Sequence, residues 1–199
     1  MKEYICIDIG GTSIKHGVVR EDGTFAVTGE MPTQAMEYGG PGIMEKAKKI
    51  VEVYREEYQP EGICISTAGM VDCEKGKITY AAPLIPNYTG TEIKKTLEDL
   101  YGIPCEVEND VNCAGLAEHF AGASKGSSIS LCLTIGTGIG GAIIIDGKEC
   151  READWTRIFD VGEDGAFYMG DYVCSDKGGL KEIRFDKVYL SEDQKKKRK

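Results

Sequence analysis

EYICIDIGGTSIKHGVV, at residues 3–19, predicts a strand, a glycine turn and a returning strand. Glu3–Ile9 is rich in Ile, Tyr and Cys, and Gly10–Thr12 supplies the turn before Ser13–Val19. The Asp-Gly pair within Glu21–Thr24 is typical of a hairpin turn, so a third strand is predicted near Phe25–Met31. The stretch therefore predicts consecutive hairpins.

Beyond these hairpins, helices and strands alternate. Residues 32–41 contain two prolines and two glycines, which predict a loop, and apolar residues recur at helical spacing from Gly42 to Tyr58. The remaining predicted elements are a strand at 62–66, a helix capped by Thr91, a strand at 103–107, a helix beginning at Asn109 or Asp110, and strands at 128–135 and 142–145. Such alternation predicts an α/β fold with a mainly parallel sheet and an antiparallel hairpin.

Glycine is in excess and clusters at two places. The chain has 26 glycines among 199 residues, against a usual share of about 7 %, and many lie in IGGTSIKHG (9–17) and IGTGIGGA (135–142). Such clusters are typical of backbone that turns tightly or approaches a ligand. IDIGGT (7–12) and LTIGTG (133–138) also align, each before a β-branched strand and an Asp-Gly turn. A two-lobed fold that grips a phosphate between related units would explain this repeat, and chance similarity of two short turns stays open.

The first glycine turn carries groups suited to a phosphate. Gly10 and Gly11 lack Cβ atoms, so their backbone N–H groups can face phosphate oxygens, while Thr12 adds a hydroxyl donor and Lys15 a positive charge. Asp8, at the end of the strand, is placed to hold Mg²⁺ directly or through water. A tight hairpin turn with a solvent-exposed Asp8 is the alternative.

The second glycine turn matches G-x-G-x-x-G at Gly136, Gly138 and Gly141. A dinucleotide-binding fingerprint requires a helix next, and the β-branched run AIIID that follows is a poor helix opener. A strand–turn–strand that binds phosphate through its backbone fits better. The candidate contacts are Gly136, Thr137, Gly138 and Gly140.

The segment 108–112, with the sequence ENDVN, lies where a predicted strand meets a helix. Carboxylates at the carboxyl ends of strands face the crevice of an open α/β sheet. Asp110 is therefore a candidate to accept a hydroxyl proton during phosphoryl transfer, and Asn109 a candidate to fix neighbouring hydroxyls. Ordinary helix capping by Asn and Asp is the alternative.

Acidic residues outnumber basic ones, at 33 against 24, and the last five residues, KKKRK, hold part of the basic charge. An acidic body is a poor surface for nucleic acids or anionic membranes, so neither partner is expected. No apolar run reaches the roughly 18 residues of a membrane span, and MKEYICIDIGG lacks a signal-peptide pattern. These features predict a cytoplasmic protein with a disordered basic tail at 191–199.

The eight cysteines include no C-x-x-C pair, and the two histidines, His16 and His119, are far apart in the sequence. Cys6, Cys64 and Cys132 fall in apolar strand-like runs, which predicts buried, reduced thiols. A metal site built on cysteine or histidine is therefore not expected.

Three motifs together resemble the ROK sugar kinases of the actin/hexokinase superfamily: DIGGT at 8–12, ENDVNCAGLAE at 108–118 and LTIGTGIGGAIIIDGK at 133–148. They follow the family order within about residues 3–150. The resemblance implies an actin-like ATPase (ribonuclease H-like) lobe with a mixed sheet, followed by an incomplete second lobe. Residues 1–120 would form the N-terminal sugar-kinase lobe, and residues 121–190 the start of a truncated or divergent C-terminal lobe.

The resemblance also implies roles for particular residues. Asp110 resembles the base that accepts the sugar hydroxyl proton, both glycine turns resemble the grips on nucleotide phosphates, and Asp8 resembles a position that helps to hold magnesium. The implied sugar-binding residues are Ser66, Thr67, Gly69, Asn87, Asn109, Asp110 and Glu163. Glu163 lies in GEDGA (162–166), where Ala166 replaces the family's zinc-binding His, so no zinc site is expected.

The resulting expectation is an ATP-dependent kinase that uses Mg²⁺ and phosphorylates a hydroxyl of a hexose or amino-hexose. Its partners would be the sugar and ATP, with a homodimer implied by the family. Two alternatives stay open, a non-catalytic sugar- or nucleotide-binding remnant of such a kinase and a ROK transcriptional repressor. The repressor is less favoured because the first strand begins at about residue 3, where a DNA-binding helix-turn-helix would have to precede it.

Overall fold

The computed structural model describes residues 1–83, 85–135, 139–150, 166–174 and 180–189. The chain divides into two compact units, Met1–Gly147 and Lys148–Lys199. The lobe boundary at 120/121 stays a prediction, and the helix that contains this position packs against the two strands that follow it.

The first unit is built on a mixed sheet. In chain order its described elements are β1 (Glu3–Ile9), β2 (Ser13–Arg20), β3 (Phe25–Pro32), α1 (Ala35–Glu57), β4 (Gly62–Thr67), β5 (Met70–Asp72), β6 (Lys77–Tyr80), α2 (Ile93–Tyr101), β7 (Cys105–Asn109), α3 (Asp110–Ala121), β8 (Ile129–Ile135) and β9 (Ile139–Ile145). Five strands form one sheet in the order β3-β2-β1-β4-β7. β1, β2 and β3 are antiparallel neighbours, whereas β4 pairs in parallel with both β1 and β7. The predicted α/β class with a mixed sheet is confirmed.

Parallel pairing brings the carboxyl ends of β1, β4 and β7 to one edge of the sheet. Asp8 lies beside Ser66 in the register of β1 and β4, and Thr67 lies beside Asn109 in that of β4 and β7. Loops that leave this edge therefore start close together, which is where open α/β sheets bind ligands.

One face of the sheet forms the core beneath α1 and α2. Ile5, Ile7 and Ile9 on β1 are at most 1 % exposed. The helices contribute the buried residues Ile43, Ala47, Ile50, Val51, Tyr54, Ile93 and Leu97. Because strand side chains alternate between faces, the residues between these isoleucines point to the opposite face.

The prediction of buried cysteines is only partly correct. Cys105 is buried, Cys6 and Cys132 are half-buried, and Cys64 is exposed. Cys64 alternates with two buried isoleucines along β4, which places it on the sheet face opposite the core. The prediction of burial is wrong for Cys64, because an apolar run in a strand with one buried face also contains side chains of the other face.

α1 begins earlier than the sequence predicts. Residues 32–41 are predicted to form a loop, yet the helix starts at Ala35. Gly39 interrupts it with a non-helical conformation, φ 57° and ψ −158°, and Pro41 follows. Proline is tolerated there because the first turn of a helical segment needs no N–H from it. The glycines and prolines therefore mark a kink between two helical segments.

The ends of the next two helices follow different rules. Asn109 is the N-cap of α3, which confirms the predicted start at this position. Thr91 does not cap α2: Glu92 precedes that helix, and the Thr91 hydroxyl donates to the Tyr88 carbonyl at 2.6 Å. None of the helices among the described residues is long and apolar enough to cross a bilayer.

The second unit contains a long hairpin. Its described strands are β10 (Lys148–Glu149), β11 (Ala166–Cys174) and β12 (Leu180–Tyr189), and β11 pairs antiparallel with β12. β11 and β12 are nine and ten residues long. The tail predicted at 191–199 lies outside the described residues.

Candidate active site

The Asn109–Asp110 pair lies at the carboxyl edge of the sheet, at the start of α3. Asn109 Nδ2 donates to Asp110 Oδ1 and to the Gly69 carbonyl, both at 2.9 Å. Asn109 Oδ1 accepts from the backbone N–H groups of Val111 and Asn112 and so caps the helix. One amide side chain thus joins the loop after β4 to the first turn of α3.

The two carboxylate oxygens of Asp110 differ in their partners. Oδ1 accepts from Asn109 Nδ2 at 2.9 Å and from the Val111 N–H at 3.0 Å, whereas Oδ2 accepts no hydrogen bond from the described residues. The side chain is half-buried at a helix N-terminus, where the helix dipole favours negative charge. The carboxylate is therefore oriented through one oxygen, and the other is available to a substrate hydroxyl.

Glu108 supports this pair from the end of β7, a role that the sequence did not predict. Its Oε1 accepts from Asn112 Nδ2 at 2.9 Å and from the Asn109 N–H at 2.7 Å, and its Oε2 accepts from the Cys73 thiol at 2.9 Å. Both oxygens are engaged, so Glu108 positions its neighbours. The four-residue spacing of Glu108 and Asn112 was the available signal, although the helix starts between them.

Asp8 and Ser66 face each other across β1 and β4. The Ser66 hydroxyl donates to Asp8 Oδ1 at 2.8 Å, and Lys15 lies beside Asp8 in the register of β1 and β2. Asp8 and Lys15 are exposed. One exposed carboxylate fits Mg²⁺, which keeps several waters and takes further ligands from phosphates. The magnesium role of Asp8 and the sugar-binding role of Ser66 stay predictions, and the hydroxyl of Ser66 is engaged by Asp8.

The first glycine turn is anchored through its carbonyls. The Gly10 N–H donates to the Ser13 carbonyl at 3.0 Å and closes the turn. Thr33, fully buried, donates through Oγ1 to the Gly10 carbonyl at 2.7 Å and through its N–H to the Thr12 carbonyl at 2.9 Å. Gly11 and Thr12 remain exposed, and a Cβ at Gly11 would meet nothing within 4 Å. The top of the turn is therefore open to a ligand while its base is fixed.

Lys46 fixes the segment that carries Thr33. Its Nζ donates to the carbonyls of Pro32 and Thr33, at 2.7 and 2.8 Å, and to Gln34 Oε1 at 3.0 Å. These three acceptors match the three donors of an ammonium group. Neither Thr33 nor Lys46 belongs to a motif, and only the pairing of β2 with β3 brings Thr33 to the turn. No sequence pattern therefore indicated either role.

We expect Thr33→Val to destabilise the first glycine turn. The change keeps the shape of the side chain but removes the donor to the Gly10 carbonyl, so the free energy of unfolding should fall by about 1–3 kcal/mol in urea titration. Thr24→Val is the matched control, because the Thr24 hydroxyl binds Asp22 at the surface. This variant should lose no more than about 0.5 kcal/mol in the free energy of unfolding. Equal losses in the two variants would contradict the anchoring role.

Gly69 contributes a backbone oxygen to the site. Its φ of 105° is unfavourable for other residues, and a Cβ would lie 2.8 Å from the Tyr80 carbonyl oxygen. This conformation presents the Gly69 carbonyl to Asn109 Nδ2. A direct contact between Gly69 and a sugar stays a prediction.

Thr67 lies in the core and not at the surface of the site. Its side chain is fully buried, and its Oγ1 is hydrogen-bonded to the Tyr88 hydroxyl at 2.7 Å. Tyr88 is fully buried as well, and burial raises its pKa to about 12. The adjacent Asn87 is exposed, with φ 56°, and its side chain makes no hydrogen bond to the described residues. The buried pair therefore holds the loop that presents Asn87, and the sugar contacts predicted for Thr67 and Asn87 stay predictions.

The kink of α1 holds the same loop from the other side. The Gly40 N–H donates to the Pro86 carbonyl at 2.8 Å. A Cβ at Gly40 would overlap the Asn87 carbonyl oxygen, and one at Gly39 would overlap the Pro86 carbonyl oxygen. The sequence marks both glycines but assigns them to a loop, so this close approach of helix and loop was missed.

We expect Thr67→Val to lower the free energy of unfolding by about 1–3 kcal/mol, because it leaves the Tyr88 hydroxyl unpaired in the core. Tyr88→Phe should lower it by less, because the Thr67 hydroxyl still donates to the Ala68 carbonyl at 3.2 Å. The double variant removes both hydroxyls and should lose less than the sum of the single losses. Urea titration of all four proteins measures this coupling, and strictly additive losses would show that the two hydroxyls do not act as a pair.

The second glycine turn connects β8 and β9. A Cβ at Gly140 would overlap Val111 Cγ2, and one at Gly115 would lie 3.1 Å from Ile144, so α3 and this hairpin approach closely at two points. Other candidate residues lie outside the described residues, namely Gly136, Thr137, Gly138 and Glu163. Packing against the first turn of α3 explains the glycine at position 140, and its phosphate contact stays a prediction.

Comparison with known proteins identifies the family. The model of the ROK family matches residues 4–152. The chain belongs to the ROK family. It is 58% identical over 145 residues to an uncharacterized protein of Clostridium perfringens, over 73% of this chain and 49% of that protein. It is 34% identical over 182 residues to a beta-glucoside kinase of Listeria innocua, over 89% of this chain and 60% of that protein.

A solved ROK structure has the same fold. The ROK family glucokinase from Streptomyces griseus, in complex with glucose and AMPPNP, matches with a TM-score of 0.65 at 35% identity. The match covers 74% of this chain and 46% of the glucokinase. The actin-like fold that the ROK resemblance implies is confirmed, and this ROK chain spans about half the length of the curated relatives it matches.

Proposed function

We propose that the protein carrying this chain is an ATP-dependent sugar kinase, which transfers the γ-phosphoryl group of MgATP to a hydroxyl of a hexose or amino-hexose. The observation that carries the proposal is the Asp110 carboxylate, oriented through Oδ1 and open at Oδ2. The named relatives, a beta-glucoside kinase and a glucokinase, support the same class of reaction.

Asp110 acts on the acceptor sugar. A sugar hydroxyl donates a hydrogen bond to Oδ2, and the carboxylate accepts its proton as the hydroxyl oxygen attacks the phosphorus. Asn109 holds Oδ1 at 2.9 Å and fixes the direction in which Oδ2 points. Phosphoryl transfer depends mainly on positioning and electrostatics. The fixed orientation of the Asp110 carboxylate therefore supports catalysis as much as its ability to accept a proton does.

The first glycine turn and Asp8 act on the nucleotide. Gly11 and Thr12 are exposed at the top of a turn whose base Thr33 fixes, so backbone N–H groups there bind phosphate oxygens. Lys15 adds positive charge beside Asp8. Asp8 would hold Mg²⁺ directly or through water, and the bound ion would supply positive charge beside the phosphate oxygens.

The sugar lies against the loops after β4 and before α2 in this proposal. Asn87 is exposed at the tip of a loop that Thr67 and Gly40 hold in place, and its amide can both donate to and accept from sugar hydroxyls. Asn109 and the loop at Gly69 border the same edge of the sheet. Pairing of each sugar hydroxyl with such groups distinguishes one hexose from another.

Release of ADP tests the proposal directly. The full chain is incubated with MgATP and each of several sugars, including glucose, N-acetylmannosamine and a β-glucoside, and a coupled assay follows ADP. ADP release that requires one class of sugar supports the kinase. Sugar binding in calorimetry without ADP release would favour a non-catalytic sugar-binding protein, and neither binding nor release with any sugar would contradict the proposal.

A further inference from the structure

Two thiols lie side by side on the sheet face opposite the core. Cys6 on β1 and Cys64 on β4 are register partners in a parallel pair, so their side chains point to the same face. Neighbouring strands lie about 4.8 Å apart, within the range of about 4.4–6.8 Å between Cα atoms that a disulfide spans. Both thiols are reduced, and the Cys6 thiol donates a hydrogen bond to the Tyr4 carbonyl at 3.9 Å.

The two thiols differ in exposure. Cys64 is exposed and Cys6 half-buried. Glu106, the β7 neighbour of Cys64, is paired with Lys94 at 2.9 Å. The exposed thiol of Cys64 therefore meets an oxidant from solvent first, with Cys6 beside it on β1.

We propose that Cys64 and Cys6 form a dithiol that hydrogen peroxide converts to a disulfide. The Cys64 thiolate attacks one oxygen of the peroxide and breaks the O–O bond, which gives a sulfenic acid at Cys64 and hydroxide. The sulfur of Cys6 then attacks Cys64 Sγ, so that the S–S bond forms and the S–O bond of the sulfenic acid breaks. The departing hydroxide takes the Cys6 thiol proton and leaves as water. Peroxide is reduced to two molecules of water once the medium supplies the remaining proton.

The dithiol is adjacent to Asp8, the predicted magnesium ligand, and to Ser66, a predicted sugar-binding residue. Asp8 and Ser66 form the next pair on the same face, two residues further along each of the two strands, and they are hydrogen-bonded at 2.8 Å. A covalent bond between Cys6 and Cys64 fixes the spacing of the strands at this point and shifts that pair. Oxidation should therefore weaken MgADP binding several-fold. This expected effect rests on the proposed function, whereas the formation of the disulfide is independent of it.

Peptide mapping of the folded full chain tests the disulfide. The protein is treated with hydrogen peroxide, alkylated, digested with trypsin and analysed by mass spectrometry. Trypsin releases Cys6 in residues 3–15 and Cys64 in residues 56–75, together with Cys73. We expect these two peptides to be linked, with fragment ions that place the bond at Cys64, and dithiothreitol to separate them. Unlinked peptides with sulfinic acid at Cys64, or a bond at Cys73, would overturn the proposal.

Two single substitutions make the test specific. Cys64→Ser should remove the linked pair of peptides, whereas Cys73→Ser, the matched control in the same peptide, should retain it. Linked peptides in Cys64→Ser would also overturn the proposal. If a variant fails to fold, the fragment ions of the unsubstituted protein still show which cysteine forms the disulfide. Calorimetry with MgADP before and after oxidation tests whether the disulfide weakens nucleotide binding. An unchanged affinity with the disulfide in place would rule out this effect but not the disulfide. Absence of MgADP binding in the reduced protein would count against the proposed function.

Discussion

Asp110→Asn should lower kcat for sugar phosphorylation by about 10²–10⁴-fold, the usual contribution of a positioned general base. Asparagine keeps an oxygen that can accept from Asn109 Nδ2 and from the Val111 N–H, as Asp110 Oδ1 does. The geometry of the site should therefore persist while the proton acceptor is lost. Initial rates of ADP release measure kcat, and calorimetry should show sugar affinity within about threefold of the original value.

Asp99→Asn is the matched control for this substitution. Asp99 lies exposed on α2, where its carboxylate pairs with Lys95, so the same change of charge occurs away from the site. Its kcat should remain unchanged. Full activity of Asp110→Asn would contradict the role of Asp110, and so would a loss of sugar affinity as large as the loss of kcat, since that result indicates a binding role.

Gly39→Ala should produce the largest loss of stability, about 3–5 kcal/mol in the free energy of unfolding. The backbone of Gly39 has φ 57° and ψ −158°, a region that almost only glycine occupies. A Cβ there would also overlap the Pro86 carbonyl oxygen, so the loop that carries Asn87 must move. Urea titration measures the loss, and calorimetry should show weaker sugar binding in whatever fraction remains folded.

Gly102→Ala separates backbone strain from this overlap. Gly102 has a similar φ of 67° but ψ 20°, which other residues can adopt, and a Cβ there would meet nothing within 4 Å. Gly102→Ala should therefore lower the free energy of unfolding by about 1 kcal/mol. If Gly39→Ala costs no more than Gly102→Ala, the kink of α1 does not hold the Asn87 loop in the way described above.

Patterns that repeat along the chain predicted the fold well. The first strand, its glycine turn and the returning strand appear where alternation and turn residues place them, and the third helix starts at the Asn-Asp pair. Each of these features depends on interactions between residues close in sequence. Local patterns therefore suffice to place these strands and the start of α3 at Asp110. The alternation of helices and strands predicted a mainly parallel sheet, and that prediction is wrong, because two of the four strand pairings in the five-stranded sheet are antiparallel.

Features that depend on distant residues were not predicted. Thr33 supports the first glycine turn from 23 positions away along the chain, and Gly39 serves a loop around Pro86. Both need the assembled fold to meet their partners. Cys64 shows the same limit, since the composition of its strand does not tell which face of the sheet is covered.

We expect Asp110 to take a proton from a sugar hydroxyl while the phosphoryl group passes to that oxygen. Phosphorus NMR of the full chain with MgATP and an accepted hexose tests it most directly. The account predicts a growing hexose phosphate resonance, matched by ADP, that Asp110→Asn nearly abolishes. Formation of ADP and inorganic phosphate without any sugar phosphate, or an unchanged rate in Asp110→Asn, would contradict it.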